Sequence, residues 1–250
     1  MNSESVNPGL MKQFAKRWVN KLGLDLRRYS STEEFWFKKF IERHNIGLVL
    51  DVGANKGQYH SFLRHAGYAG RVISFEPLSE AYSELLMKSR TDPLWDIVPR
   101  CAVGESDGII ELNVSKNGVS SSILPIRKVH LDNAPDSRYI GAEKVECFSL
   151  KSLWPALKMV GDTPVLLKID SQGYEDRILR GLGEFVAGVA AVQLELSSVE
   201  LYSGQLLLPD MIKEMSEYGY RMEALFPAFI SPKTGQVLQY EGFFVRSPVK

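Results

Sequence analysis

Residues 46–86 read IGLVLDVGANKGQYHSFLRHAGYAGRVISFEPLSEAYSELL. An apolar run from Ile46 to Val52, broken by Gly47 and Asp51, stops at Gly53. Gly57 then opens a pattern that puts Tyr59, Phe62 and Leu63 on one side of a helix. A second apolar run, Arg71–Phe75, ends on the acid Glu76, and Pro77 turns the chain into the next helix. Strand, glycine loop, helix, strand and acid together predict half of a nucleotide-binding α/β sheet, with the ligand across the carboxyl ends of its strands.

Each residue in that loop has a chemical reason to be there. Gly53 and Gly57 let the backbone turn tightly and approach a ligand closely. A carboxylate at Glu76 can accept hydrogen bonds from both vicinal hydroxyls of a ribose. Asp51, at the tip of the first strand, is placed to orient the loop or to attract a cationic group. The loop reads Asp-Val-Gly-Ala-Asn-Lys-Gly and lacks the Gly-x-Gly-x-x-Gly that gives a dinucleotide pyrophosphate access to bare amides, so a nicotinamide-dependent dehydrogenase is disfavoured. An acid at its head suits a ligand whose reactive end is positive.

The rest of the chain extends the same scheme. TPVLLKID, residues 163–170, is another buried strand ending on an acid, Asp170; in the SQGYED that follows, Gly173 breaks the strand, and Glu175 and Asp176 begin a helix in register with its dipole. A further strand, Val189–Leu196, carries Glu195 within an apolar alternation. A helix is expected over Asp210–Tyr218, followed by two β segments joined by a turn near Pro232–Gly235. WDIVPRCAVGESDGIIELNVS predicts two strands around a hairpin turn at Gly104–Gly108. Residues 115–144 are rich in Ser120, Ser121, Ser122, His130, Asp132, Asp136, Arg138 and Tyr139, and are expected to form a polar cover over the second substrate.

At 250 residues and 44% hydrophobic content, the chain is long enough for one large α/β domain, expected over residues 45–250 behind an N-terminal helical extension, residues 1–44. Leu10, Phe14, Trp18, Val19 and Leu22 predict an amphipathic helix over residues 10–28 with a basic outer surface, suited to packing on the domain, to a homo-oligomer or to a surface contact. A second helix is expected from Ser31 or Thr32 to His44. With 30 basic against 30 acidic residues there is no net field for nucleic acid. The two cysteines, Cys101 and Cys147, are expected as buried thiols; with neither a signal-peptide pattern nor a long apolar span, the reading is a cytoplasmic protein.

Four ordered segments carry a family resemblance: DVGANKGQY followed by VISFEP; LLKIDSQGYEDRILRG from Leu166 to Gly181; LELS from Leu194; and EGFFVR from Glu241 to Arg246. Over roughly residues 46–246 the chain resembles the FkbM family of S-adenosylmethionine-dependent methyltransferases. The resemblance implies a Rossmann-like class I fold: a mostly parallel seven-stranded sheet with a C-terminal antiparallel hairpin and N-terminal helices. It also implies O-methyl transfer to a hydroxyl of a sugar, glycoside or polyketide-like small metabolite. A cofactor-binding but inactive partner protein is the alternative.

The residues expected to bind S-adenosylmethionine are Asp51, Gly53, Asn55, Gly57, Tyr59, Glu76, Ser121 and Asp170. Methyl transfer to an alcohol needs an aligned acceptor and a destination for its proton, so Asp170, Glu195 and, within the cover, His130 are the catalytic candidates; His60, beside the glycine loop, is a weaker one. Asp170 and Glu195 could also share a divalent ion, which the sequence permits but does not require, and no zinc-type His/Cys spacing occurs.

Overall fold

The computed structural model of the chain describes Val19, Lys21, residues 32–158 and residues 161–247. The basic amphipathic helix expected over residues 10–28 lies outside these residues apart from Val19 and Lys21. The next helix, α1 (Glu33–Arg43), starts at the second of the two caps offered by the sequence: Thr32 Oγ1 accepts the Phe35 N–H at 3.2 Å. Glu33 and Glu34 then occupy the first turn, where the helix dipole favours acids.

Strands β1 (Leu48–Val52), β2 (Arg71–Phe75) and β3 (Trp95–Ile97) alternate with helices α2 (Gln58–His65) and α3 (Ser79–Ser89). After an insertion described below come β7 (Val165–Ile169), α6 (Glu175–Arg180), β8 (Val189–Ser197), α7 (Leu208–Glu217), β9 (Tyr220–Ile230) and β10 (Val237–Arg246). These seven strands form one sheet in the order β3-β2-β1-β7-β8-β10-β9, parallel from β3 to β8 and antiparallel at β10 and β9. The fold is therefore the expected mostly parallel seven-stranded sheet closed by an antiparallel hairpin, whose turn is Ser231–Gln236 with Gly235 at positive φ.

Alternation along each strand sends residues to two separate cores. Leu48, Leu50, Val52, Ile73, Phe75, Leu167, Ile169 and Leu194 pack under α6 and α7. Val49, Val72, Leu166, Ala191 and Phe243 pack under α1 and α2, against Phe37, Phe40 and Leu63. Fully buried side chains of this size each contribute about 1.5–3 kcal/mol, which is why β1 tolerates one charged residue, Asp51, among four apolar ones.

Residues 98–158 differ from expectation. β4 (Ala102–Gly104) and β5 (Gly108–Ser115) do not pair with each other. Both pair with β6 (Tyr139–Ser149), β4 in parallel and β5 antiparallel, in a separate three-stranded sheet of order β4-β6-β5. The chain does bend over residues 105–107, but no hairpin forms there, because the two strands it joins flank a third. This sheet packs through Leu112, Val145 and Cys147 on Leu78 and Ala81 at the start of α3, so it stands over the carboxyl ends of the large sheet. Helix α4 (Lys128–Asn133) lies between β5 and β6, and α5 (Leu150–Leu153) follows β6. Cys101 and Cys147 are buried free thiols. Among the described residues no helix is long and apolar enough to cross a membrane.

Candidate functional site

Strand register places two polar rows on the α1/α2 face of the sheet, at the carboxyl ends of its strands. In the lower row Ser74, Asp51, Lys168 and Gln193 are direct neighbours: Asp51 pairs with Ser74 and with Lys168, and Lys168 with Gln193. Two residues further along each chain lies the upper row of Glu76, Gly53, Asp170 and Glu195, with Glu241 of β10 directly opposite Glu195. Four carboxylates are thereby aligned along one sheet edge. Above them is a cavity of about 450 Å³, a size suited to a small-molecule ligand.

The cavity is lined by the glycine loop, Glu76, the apolar side chains of Leu78, Val103, Leu112 and Ile178, and by Tyr59, Asp170, Gln193 and Glu241. Glu76 is 3% exposed. Its Oε2 accepts the Asn55 N–H and its Oε1 the Leu78 N–H, each at 2.7 Å. Each oxygen keeps a second lone pair for a ligand hydroxyl. Burial pushes the Glu76 carboxyl up to about 7 against the pull of those two amides. Burial likewise raises Glu241 to about 7, although Gln193 Nε2 donates to its Oε2 at 2.9 Å.

The expected site residues divide into two groups. Gly53, Asn55, Tyr59, Glu76, Ser121 and Asp170 line the cavity. Asp51, Gly57, Glu195 and His130 do not, and each has a different employment. Asp51 is fully buried beneath the loop, where Ser74 Oγ donates to it at 3.1 Å and the Lys168 ammonium lies 3.2 Å away. The cation it attracts belongs to its own chain. A Cβ on Gly57 would strike the Trp95 ring at 2.5 Å, and one on Gly53 would lie 1.9 Å from the Asp170 carbonyl oxygen. Both glycines also hold positive φ, so packing within the sheet edge already demands glycine at each. Glu195 is turned toward the amides of Gln172 and Gln239, at 2.9 and 2.8 Å.

His130 is 4% exposed, sits in α4, and packs edge-on to Tyr202 and beside Phe229 with ring centroids 5.2 and 5.4 Å away. Burial lowers its pKa to about 4. It packs against these rings and does not line the cavity, so the structure does not bring it to the place expected of a base. His60 stacks on Trp95 at 3.6 Å and bonds Asp92 through Nε2 at 2.9 Å, a packing role.

The polar cover is smaller and more tightly wired than expected. Its last part, from Tyr139 onward, is strand β6. Only the segment around Gly118, Val119, Ser121 and Ile123 borders the cavity. The serines offered as ligand partners are engaged: Ser120 Oγ meets Ser137 Oγ at 2.9 Å, Ser121 Oγ donates to the Gly118 carbonyl at 2.9 Å, and Ser122 Oγ donates to the Gln172 carbonyl at 2.8 Å. Asp132 and Asp136 are held by Lys128 and Lys116.

Polar lining residues that escaped the sequence reading include Lys168, Gln172, Gln193 and Glu241. Lys168 is 6% exposed, lies between Asp51 and Asp170, and sits 5.2 Å from the centre of the Tyr59 ring. Burial would lower its pKa, but Asp51, Asp170 and Glu241 outweigh this and hold it charged. Asp170 Oδ2 lies 3.5 Å from that ammonium, and the side chain remains one-third exposed at 34%. Among the described residues no group of three or more His, Cys, Asp or Glu side chains is placed to hold a metal ion.

A parallel sheet whose carboxyl ends carry an acid-rimmed cavity beside a glycine loop defines a nucleotide-cofactor α/β protein. The chain matches the methyltransferase FkbM domain over residues 51–222 and belongs to the FkbM family of S-adenosylmethionine-dependent methyltransferases. No match to a curated protein was found. Similar solved structures include a TehB-like SAM-dependent methyltransferase from Corynebacterium glutamicum ATCC 13032 Kitasato, at 12% identity over 96% of this chain and 100% of that one, TM-score 0.40. A second is 1,6-didemethyltoxoflavin-N1-methyltransferase from Burkholderia thailandensis, solved with 1,6-didemethyltoxoflavin and S-adenosylhomocysteine, at 12% identity over 99% and 93%, TM-score 0.44. A third is a putative methyltransferase from Thermobifida fusca YX, at 10% identity over 96% and 84%, TM-score 0.48.

Proposed function

We propose that the protein transfers a methyl group to a hydroxyl of a sugar, glycoside or polyketide-like small metabolite. The observation that carries this reading is the line of carboxylates from Glu76 to Glu241, in which Glu76, Asp170 and Glu241 open into one cavity. S-adenosylmethionine, when bound, supplies a methyl group on a positively charged sulfur.

The residues present fit that cofactor. Glu76 has free lone pairs for two vicinal hydroxyls, Leu78, Val103 and Ile178 offer apolar walls for a flat ring, and Asp170 and Tyr59 line the same cavity. Asn55 and Ser121 border it as well. Asp170 is the group we assign as proton acceptor. It lies 3.5 Å from the Lys168 ammonium and lines the cavity together with Glu241 and Gln193, which offer an acceptor and a donor to the other hydroxyls of a polyol. Glu241 stands in reserve as a second acceptor whose affinity for a proton is already raised. Among the described lining residues Lys168 is the cation, and it is committed to Asp51 and Asp170, so an uncharged acceptor suits this cavity better than a phosphorylated one.

The test is incubation of the purified protein with methyl-labelled S-adenosylmethionine and panels of glycosides, polyketides, sugar phosphates, fatty acids and RNA. Label is expected on an uncharged glycoside or polyketide and lost with Asp170→Asn. Label confined to RNA, protein or lipid overturns the small-molecule reading, and full activity of Asp170→Asn overturns the assignment of the base.

A further inference from the structure

Asp170 and Glu195 end adjacent strands, and one side chain lies between them. Gln172 Nε2 donates to Asp170 Oδ1 at 2.8 Å and to Glu195 Oε2 at 2.9 Å. Its Oε1 accepts the Tyr202 hydroxyl at 2.6 Å. The amide is oriented so that its oxygen accepts the Tyr202 hydroxyl and its NH₂ faces the two carboxyl groups, which matches donor to acceptor at all three contacts.

The backbone is held as firmly as the side chain. Gln172 has φ 57, the left-handed region that costs a side-chain-bearing residue energy and persists where the surroundings enforce it. Its carbonyl accepts Ser122 Oγ at 2.8 Å, from the segment that covers the cavity. Tyr202, which anchors the amide oxygen, is 0% exposed and also reaches the Ser120 carbonyl at 3.2 Å. A residue forced into an unfavourable conformation and fixed at two points, its carbonyl and its amide oxygen, is there for what its remaining group does. That group is a two-pronged donor.

The electrostatics state what the donor opposes. Around the acid pair stand Lys168 on β7 with Asp51 behind it on β1, Glu241 on β10, and Glu175 in the first turn of α6. Asp170, Glu241 and Glu175 all push the Glu195 carboxyl toward its protonated form, with burial the leading cause and Lys168 opposing. Carboxylates this close share protons unless something holds each in its own state.

We propose that Gln172 is a positioning residue that aims the cavity-facing carboxyl group of Asp170 and insulates it from Glu195 behind. Its significance for methyl transfer rests on the reading of Asp170 as the base; its effect on Asp170 can be measured without any acceptor. Gln172→Met keeps the length and removes both donors. Gln172→Glu keeps the shape and adds a third acid.

The experiment is a carboxyl ¹³C NMR titration of the full chain, with Asp170→Asn and Glu195→Gln used to assign the signals. Loss of one charge-assisted hydrogen bond moves the Asp170 midpoint up by about one to two pH units in Gln172→Met, with a larger rise in Gln172→Glu. Thermal unfolding shows whether each variant is folded, and either folded variant suffices. An Asp170 midpoint unchanged in a folded variant overturns the proposal. Retained methyl transfer by Asp170→Asn would instead remove the base assignment and leave the titration result standing.

Discussion

Replacing Glu76 by glutamine is expected to stabilise the protein above neutral pH while weakening its hold on the cofactor. Burial raises the Glu76 carboxyl from 4.5 to about 7. Because the folded value lies above the unfolded one, the favourable contribution of this group is complete below pH 4.5 and lost as pH rises through 7. The gap corresponds to about 3 kcal/mol. Glutamine does not titrate and escapes that loss, but its NH₂ faces one of the two backbone N–H groups that Glu76 accepts, from Asn55 and Leu78. That mismatch costs about 1 kcal/mol.

The variant should accordingly be slightly less stable than the parent at pH 5 and more stable by about 2 kcal/mol at pH 8, a rise in Tm of about 4–8 °C for a chain of this length. Calorimetric binding of S-adenosylhomocysteine at pH 8 should weaken by about tenfold to a hundredfold through loss of the ribose acceptors. Thermal unfolding at the two pH values is decisive: a variant equally destabilised at both would mean that the backbone acceptors, not the buried charge, dominate this position.

Lys168→Met should cost about 3–5 kcal/mol in denaturant unfolding by stranding the buried Asp51 charge, with much of the loss restored by adding Asp51→Asn; additive losses would refute the pairing. Gly53→Ala places a methyl 1.9 Å from the Asp170 carbonyl at a φ of +78, and should lower stability by about 2 kcal/mol or more; an unchanged denaturation midpoint would rule out that close approach. His130→Phe removes a buried nitrogen, Nδ1, that lacks a hydrogen-bond partner, and should leave methyl transfer intact with stability equal or higher in the same assay; loss of activity in a folded variant would return His130 to the mechanism.

The seven-stranded sheet was readable because its strands are short apolar runs that end in acids and are separated by helical patterns. The same runs held a second signal. Lys168 precedes Asp170 by two, Gln193 precedes Glu195 by two, and Ser74 precedes Glu76 by two, a spacing that sends both members of each pair to one face of a strand. Reading that period would have placed Lys168 and Gln193 at the site. Glu241 gave no such sign, since its place opposite Glu195 depends on the register of an antiparallel partner. The small sheet was unreadable for a related reason: β4 and β5 are neighbours in sequence, but β6, which joins them, arrives some twenty residues later, and local patterns do not specify a distant partner. His130 misled because polarity of a segment says nothing about which way one ring within it turns.

The position of β1 inside the sheet, between β2 and β7, sets a schedule for synthesis. Its partner β7 begins 113 positions after β1 ends, so at about 5–20 residues per second the ribosome leaves that flank of LVLDV uncovered for roughly 6–20 s. During that interval β1 and β2 form a strip with an open hydrogen-bonding edge and an acid, Asp51, whose counter-ion Lys168 has not yet been made. The aspartate that meets Lys168 inside the finished sheet therefore has to wait for that partner until the second half of the domain has been made.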